Sequence, residues 1–191
     1  MKSKLLWSSL LILCVTLTAN AQWYQQISGT ATDLYCVHCI NANTCYAVGD
    51  LTAVRKTNDG GATPWFTPGG SPGFTPKLFV KMLNQDTILI GQTNGTFRKT
   101  TTGSTTSTWS LDIFGGNTGF GVYDVTFNSN TNFVSVGGTA ATPANGGHIT
   151  TTSTNTGAAW NSLNVSGEPT FYGIHALTTS TYVVCGGNAS V

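Results

Sequence analysis

The sequence predicts an all-β fold, a β-propeller of four-stranded blades, and two recurring phrases carry that reading. One opens on tryptophan: Trp23-Tyr24-Gln25-Gln26-Ile27-Ser28-Gly29 is echoed by Trp160-Asn161-Ser162-Leu163-Asn164-Val165-Ser166-Gly167, and looser versions begin at Trp65 and Trp109. The other is an apolar strand ending in glycine: Ala47-Val48-Gly49, Leu89-Ile90-Gly91, Ser135-Val136-Gly137 and Val184-Cys185-Gly186. Repeats of roughly 40–50 residues made of short strands are the mark of propeller blades. About three and a half such units fit between residues 22 and 191, so the ring is expected to be incomplete and the chain a fragment.

Residues 1–21 stand apart from the repeats. Lys2 and Lys4 form a basic start, Leu5 to Leu17 an apolar stretch, and Ala19-Asn20-Ala21 the small residues of a cleavage site. This is the pattern of a secretory signal peptide, shorter than a membrane span. A secreted, periplasmic or cell-surface product is expected, with no membrane insertion after cleavage. Residues 23–30 read as an outer strand that completes the closing blade. The blades then follow over 33–70, 76–116 and 120–167, with a partial fourth over 169–191.

Each unit opens on an inner strand: Leu34 to Ile40, Leu78 to Met82, Val122 to Phe127 and Phe171 to Leu177. Apolar residues alternate along these runs, as strands with two unlike faces require. The second strands are Cys45 to Val48, Thr87 to Ile90, Phe133 to Val136 and Tyr182 to Cys185. Asn-, Asp-, Ser- and Thr-rich turns join the two. The glycine after each second strand marks a bend or a close approach of backbones.

Composition narrows the function. Only 8% of residues are charged, and 40% are hydrophobic with regularly spaced aromatics, which favours a packed exported β protein over disorder. Without Lys2 and Lys4 the acids slightly outnumber the bases, so neither nucleic acid nor an acidic membrane is an expected partner. No motif implies a cofactor.

Four cysteines follow the signal segment: Cys36, Cys39, Cys45 and Cys185. In an oxidising compartment a Cys39–Cys45 disulfide across the Asn-rich turn is the preferred pairing. Cys36 and Cys185 pair only if the first and last repeats are neighbours. Cys36, His38 and Cys39 lack the second ligand pair of a structural zinc module, so no metal is expected.

The third strand of the first unit runs into Thr57-Asn58-Asp59-Gly60-Gly61-Ala62-Thr63-Pro64-Trp65. This segment resembles the Asp box, Ser/Thr-x-Asp-x-Gly-x-Thr-Trp, of sialidase-type BNR repeats, with one residue inserted before Trp65. Ser153-Thr154-Asn155-Thr156-Gly157-Ala158-Ala159-Trp160 keeps the spacing with asparagine for aspartate, and Thr100 to Trp109 keeps only Gly103 and the tryptophan. The fuller pattern from Ala47 to Trp65 is similar to the propellers of the photosystem II assembly and stability factor family. The resemblance implies structural roles for Thr57, Asp59, Gly61, Trp65, Ser153, Asn155, Gly157 and Trp160. A short acidic or amide side chain binds the N–H groups of its own turn, and the indole covers the hairpin.

A sialidase grips its substrate with three arginines and uses a tyrosine–glutamate pair. This chain offers only Arg55, Arg98 and the single Glu168. No nucleophile elbow, P-loop or zincin motif is present, so no catalytic residue is assigned. Three residues remain as ligand-binding candidates. Asp124 lies within an inner strand, aligned with Cys36, Val80 and Gly173, where it either bonds to backbone near the axis, the preferred reading, or lines the channel to meet a ligand or ion. His38 and His175 share another inner-strand position with Lys81 and Thr126. The expected function is a non-catalytic binding or assembly scaffold that presents loops to a protein or glycan, with self-association through open strand edges. The alternatives are a piece of a carbohydrate-active enzyme whose catalytic residues lie outside this chain, and a photosystem assembly factor.

Overall fold

The structure, a computed structural model, describes residues 24–70, 72–105, 108–113, 120–127, 133–138, 146–152, 160–165 and 169–187. Residues 1–21, expected as a signal segment, and Trp23, Ser153, Asn155 and Gly157 lie outside the described residues. All regular structure among those described is β. The strands are β1 (Leu34–Cys39), β2 (Cys45–Gly49), β3 (Val54–Thr57), β4 (Lys77–Met82), β5 (Ile88–Gln92), β6 (Thr96–Thr100), β7 (Ser110–Ile113), β8 (Gly121–Phe127), β9 (Phe133–Gly138), β10 (Gly147–Thr152), β11 (Trp160–Val165), β12 (Phe171–Ala176) and β13 (Tyr182–Gly186).

They form successive antiparallel meanders ordered β1-β2-β3, β4-β5-β6-β7, β8-β9-β10-β11 and β12-β13. In the first sheet the fourth strand shrinks to one bridge, in which Lys56 and Phe66 exchange N–H···O bonds of 2.8 and 3.0 Å. Pro64 and Pro68 flank that bridge, and a proline neither donates to a ladder nor lets its predecessor choose freely. Residues 24–30, expected as the outer strand of the closing blade, carry no strand. Trp65 N–H donates to the Ile27 carbonyl at 2.9 Å, which lays this segment along the outer edge of the first sheet.

The hairpins between first and second strands reuse one device. Asn41 Oδ1 accepts from the N–H groups of Asn43 and Thr44, Asn84 Oδ1 from those of Asp86 and Thr87, and Thr178 Oγ1 from those of Ser180 and Thr181. A short polar side chain that bonds its own turn fixes the hairpin and so the register of both strands. Cys39 and Cys45 face each other at the first hairpin and are joined as a disulfide.

The turn after β3 is held the same way. Asp59 Oδ1 accepts from the Thr57 hydroxyl (2.8 Å) and Gly61 N–H (3.1 Å); Oδ2 accepts from Thr63 N–H (3.1 Å) and its hydroxyl (2.6 Å). These bonds, the Thr63 hydroxyl's first, hold the Asp59 carboxyl below its usual pKa. Gly60 and Gly61 take φ of 72° and 83°, the left-handed region the turn needs. Trp65 Nε1–H donates to Gln26 Oε1 at 2.8 Å. In the second unit Thr102 stands where Asp59 does, and its hydroxyl accepts from Thr108 N–H at 3.0 Å.

The sheets stack face to face and the core lies between them. Tyr46, Val48 and Val54 meet Val80, Met82, Ile88 and Ile90 at the first joint. Phe79, Leu89 and Phe97 meet Val122, Val125 and Phe133 at the second. Val134 and Val136 meet Phe171 and Ile174 at the third. Period-two alternation sends neighbouring residues of one strand to opposite joints, as with Phe79 and Val80.

Three of the recurring glycines share one reason. A Cβ on Gly49, Gly137 or Gly186 would collide with the carbonyl oxygen of Asp33, Gly121 or Thr170, where the inner strand enters. The second unit departs from this. The residue in that place is Gln92, paired with Lys77, whereas Gly91 faces Phe79 and makes room for its ring.

Candidate functional site

The inner strands β1, β4, β8 and β12 stand at one edge of their sheets and pack against one another in that order. Their free edges therefore form a common wall. An unpaired edge leaves N–H and C=O groups to satisfy, and side chains of the preceding sheet do so. Met82 N–H donates to His38 Nδ1 at 3.3 Å, and Ala176 N–H donates to Thr126 Oγ1 at 3.3 Å. His38 and Thr126 hold one register position, opposite Tyr46 and Val134. Two residues earlier, Ile174 N–H donates to Asp124 Oδ2 at 3.0 Å, and the Cys36 thiol donates to the Val80 carbonyl at 3.8 Å.

Two of the ligand-binding candidates are thus committed to backbone. Asp124 also accepts from Val125 N–H at 2.8 Å and clasps the third sheet to the fourth. His38 clasps the first to the second. His175, at the matching position of β12, is exposed. The register corrects one expected alignment: Phe79, not Val80, matches Asp124, because β4 bulges one residue earlier than its apolar run suggests.

Burial, with the nearby Lys81 ammonium, holds the His38 pKa below 6.5, and Asp124 opposes the shift in part. Neutral His38 is also what the clasp requires, since a protonated Nδ1 cannot accept. Below pH 6.5 the unfolded chain takes up a proton that the folded chain resists, so stability falls as pH drops through the folded value. His38→Thr, which copies Thr126, is expected to keep the clasp and flatten this dependence. Urea midpoints measured from pH 5 to 8 check it; equal slopes in both proteins contradict the assignment.

The same wall displays a second repeated feature. Each inner strand carries a bulge near its start, which leaves Tyr35, Leu78, Tyr123 and Tyr172 as the extra residues of the four sheets. A bulge removes a residue from the ladder and re-aims its side chain. The Tyr123 and Tyr172 rings meet edge to face with centroids 5.0 Å apart. Leu78 and the Tyr123 ring both lie beside Gly121. Tyr35 and Tyr172 are 50% and 45% exposed. A hydrogen bond to the Asp50 carboxylate, more than burial, raises the Tyr35 pKa; burial, then Tyr172, raises that of Tyr123. The loops at this end add exposed Leu51 and Phe74. Sequence reading missed this row, although each of its residues stands 14 positions before Gly49, Gln92, Gly137 or Gly186.

Burial raises the Cys36 thiol above its ordinary pKa, and Cys185 is a free, exposed thiol. Cys39 is spent in its disulfide, and among the described residues no three of His, Cys, Asp and Glu gather as metal ligands. Arg55 and Arg98 take equivalent places in β3 and β6, opposite Ala47 and Ile90.

No family profile matches the chain, and no curated protein matches it. Solved structures do. An ancestral GH74 enzyme superposes with a TM-score of 0.62 at 17% identity, over 82% of this chain and 22% of that one. YCF48 from Cyanidioschyzon merolae gives 0.61 at 15% identity, over 92% and 54%. YCF48 bound to D1 peptide gives 0.63 at 18%, over 88% and 52%. The chain thus spans about half the length of YCF48 and about a fifth of the GH74 enzyme. What it shares with them is the propeller fold.

Proposed function

We propose that this chain is an exported, non-catalytic recognition module that holds an extended, apolar segment of a protein partner against the tyrosine row. The observation that carries the reading is the recurrence of one bulge at Tyr35, Leu78, Tyr123 and Tyr172. A bulge needed only for bending would not call for an aromatic residue in three units of four. Tyrosine gives a large, rigid contact with a polar tip at low entropic cost. Its neighbours at this end, Leu51, Leu78 and Phe74, suit apolar side chains better than sugar hydroxyls, and Asp50 is engaged by Tyr35.

The non-catalytic part is supported by the use of Asp124, His38 and Cys36 as clasps between sheets. The signal-like start of the chain supports export. YCF48, of the same fold, is described bound to a D1 peptide, so a propeller of this kind accommodates a peptide partner. The box-like turn at Asp59 supports kinship with BNR repeats.

Selection from a phage-displayed peptide library tests the reading. Peptides rich in aromatic and aliphatic residues are expected, with Tyr123→Ala/Tyr172→Ala weakening them at least tenfold. Undiminished binding by the double variant, or binding confined to a glycan array, contradicts it.

A further inference from the structure

A polar cleft of about 240 Å³ opens at the joint of the first two sheets, at the end opposite the tyrosine row. The tyrosines stand near the starts of the inner strands; this cleft is built from the turns at their far ends. Thr44 comes from the hairpin after β1 and Gln85 from the hairpin after β4. Asn58 comes from the turn after β3 and Ser104 from the turn after β6. Lys56 of β3 completes the lining.

Strand alternation puts Lys56 there. It pairs with Tyr46, which faces the second sheet, and Val54 two residues earlier shares that face. The lysine is only 3% exposed. Its ammonium donates to the Gly103 carbonyl at 2.8 Å, an acceptor shared with the Tyr46 hydroxyl, also at 2.8 Å. It lies 5.5 Å from the centre of the Tyr46 ring and 6.0 Å from that of Phe66.

An ammonium carries three donors. The other internal lysine, Lys77, spends its own on three carbonyls. Lys56 has, among the described residues, the Gly103 carbonyl alone. Asp86 is close enough for its charge to act on Lys56, but its carboxylate accepts from the Ser104 N–H at 3.2 Å and from the Ser104 hydroxyl. Asn58 and Gln85 are exposed, and among the described residues their side-chain amides bond to no protein group.

A buried cation short of acceptors is best completed by an anionic oxygen, which gives the stronger, charge-assisted bond. The amides and hydroxyls around it suit hydroxyl groups. The volume falls below the roughly 300–1,000 Å³ of clefts that take drug-sized ligands, so the occupant is small. We infer that this cleft binds a hydroxycarboxylate of the size of a single sugar acid, with its carboxylate on Lys56 and its hydroxyls on Thr44, Asn58, Gln85 and Ser104. The site is separate from the tyrosine row and does not rest on the peptide-binding reading.

NMR titration of the purified chain with glucuronate, beside glucose, which lacks the carboxylate, tests the inference. The backbone amides of Thr44, Asn58, Gln85 and Ser104 are expected to shift saturably with glucuronate, and glucose to bind at least tenfold more weakly. Asn58→Asp places a negative charge on an exposed turn at the rim. It is expected to weaken glucuronate binding at least tenfold in a chain that stays folded. Lys56→Met, which keeps an apolar stem, is expected to abolish the response. A lysine that only ties the first sheet to the Gly103 turn predicts a lower urea midpoint in Lys56→Met and no saturable shift in the parent chain. That result overturns the inference, as does equal affinity for the two sugars or a response indifferent to Asn58→Asp.

Discussion

Phe97→Ala is expected to destabilise the protein by roughly 3–5 kcal/mol, the loss typical of a large aromatic removed from a packed core. Phe97 is fully buried at the joint of the second and third sheets, where its ring meets that of Phe79 edge to face at 5.7 Å. That joint has no side-chain clasp among the described residues. Lys81 holds the position of His38 and Thr126, and an ammonium cannot accept an N–H. Its strength therefore rests on packing, so a cavity there separates the two halves of the stack. Urea unfolding of Phe97→Ala beside Phe74→Ala, whose ring is 78% exposed, checks this. Similar midpoints for the two variants contradict the packing described.

Lys77→Ala is expected to cost about 3 kcal/mol, more than a surface lysine by far. The Lys77 side chain is fully buried, and its ammonium donates to the carbonyls of Leu51, Gly73 (2.6 Å) and Thr75 (2.8 Å). The internal cation thus ties the β2–β3 turn and the loop before β4 to the second sheet, beneath the tyrosine row. Loss of water, with the Arg98 charge adding to it, lowers its pKa to about 8, so near neutral pH it still holds the proton its three bonds use. Because the unfolded lysine keeps its proton to higher pH, this group makes stability rise between about pH 8 and the ordinary lysine value of 10.5. Lys77→Met is expected to remove that rise. Denaturation midpoints across the alkaline range test both statements, and a parent chain with no such rise, or one that survives in Lys77→Met, contradicts them.

The repeats were legible because strand patterning and turn chemistry are local. Alternation placed the inner strands, and the Asn and Thr turns placed the hairpins. What sequence reading missed depends on pairing across strands. Gly91 looks like Gly49 in the chain, but it answers to the Phe79 ring and not to a backbone oxygen. The bulge shifts register by one residue, which moved the match of Asp124 from Val80 to Phe79. Pro64 and Pro68 were visible, yet their effect on the fourth strand emerges only beside β3. A backbone bond for Asp124 was legible, but that Asp124 and His38 clasp one sheet to the next was not, since their partners lie in the next sheet.

Inner strands that bulge in unison set their tyrosines where the proposed partner can reach them. NMR of ring-labelled tyrosine, titrated with a library-selected peptide, measures this most directly. The Tyr35, Tyr123 and Tyr172 resonances are predicted to shift, while that of Tyr46, buried between the first two sheets, stays in place. Shifts confined to other tyrosines, or none on saturation, would contradict it.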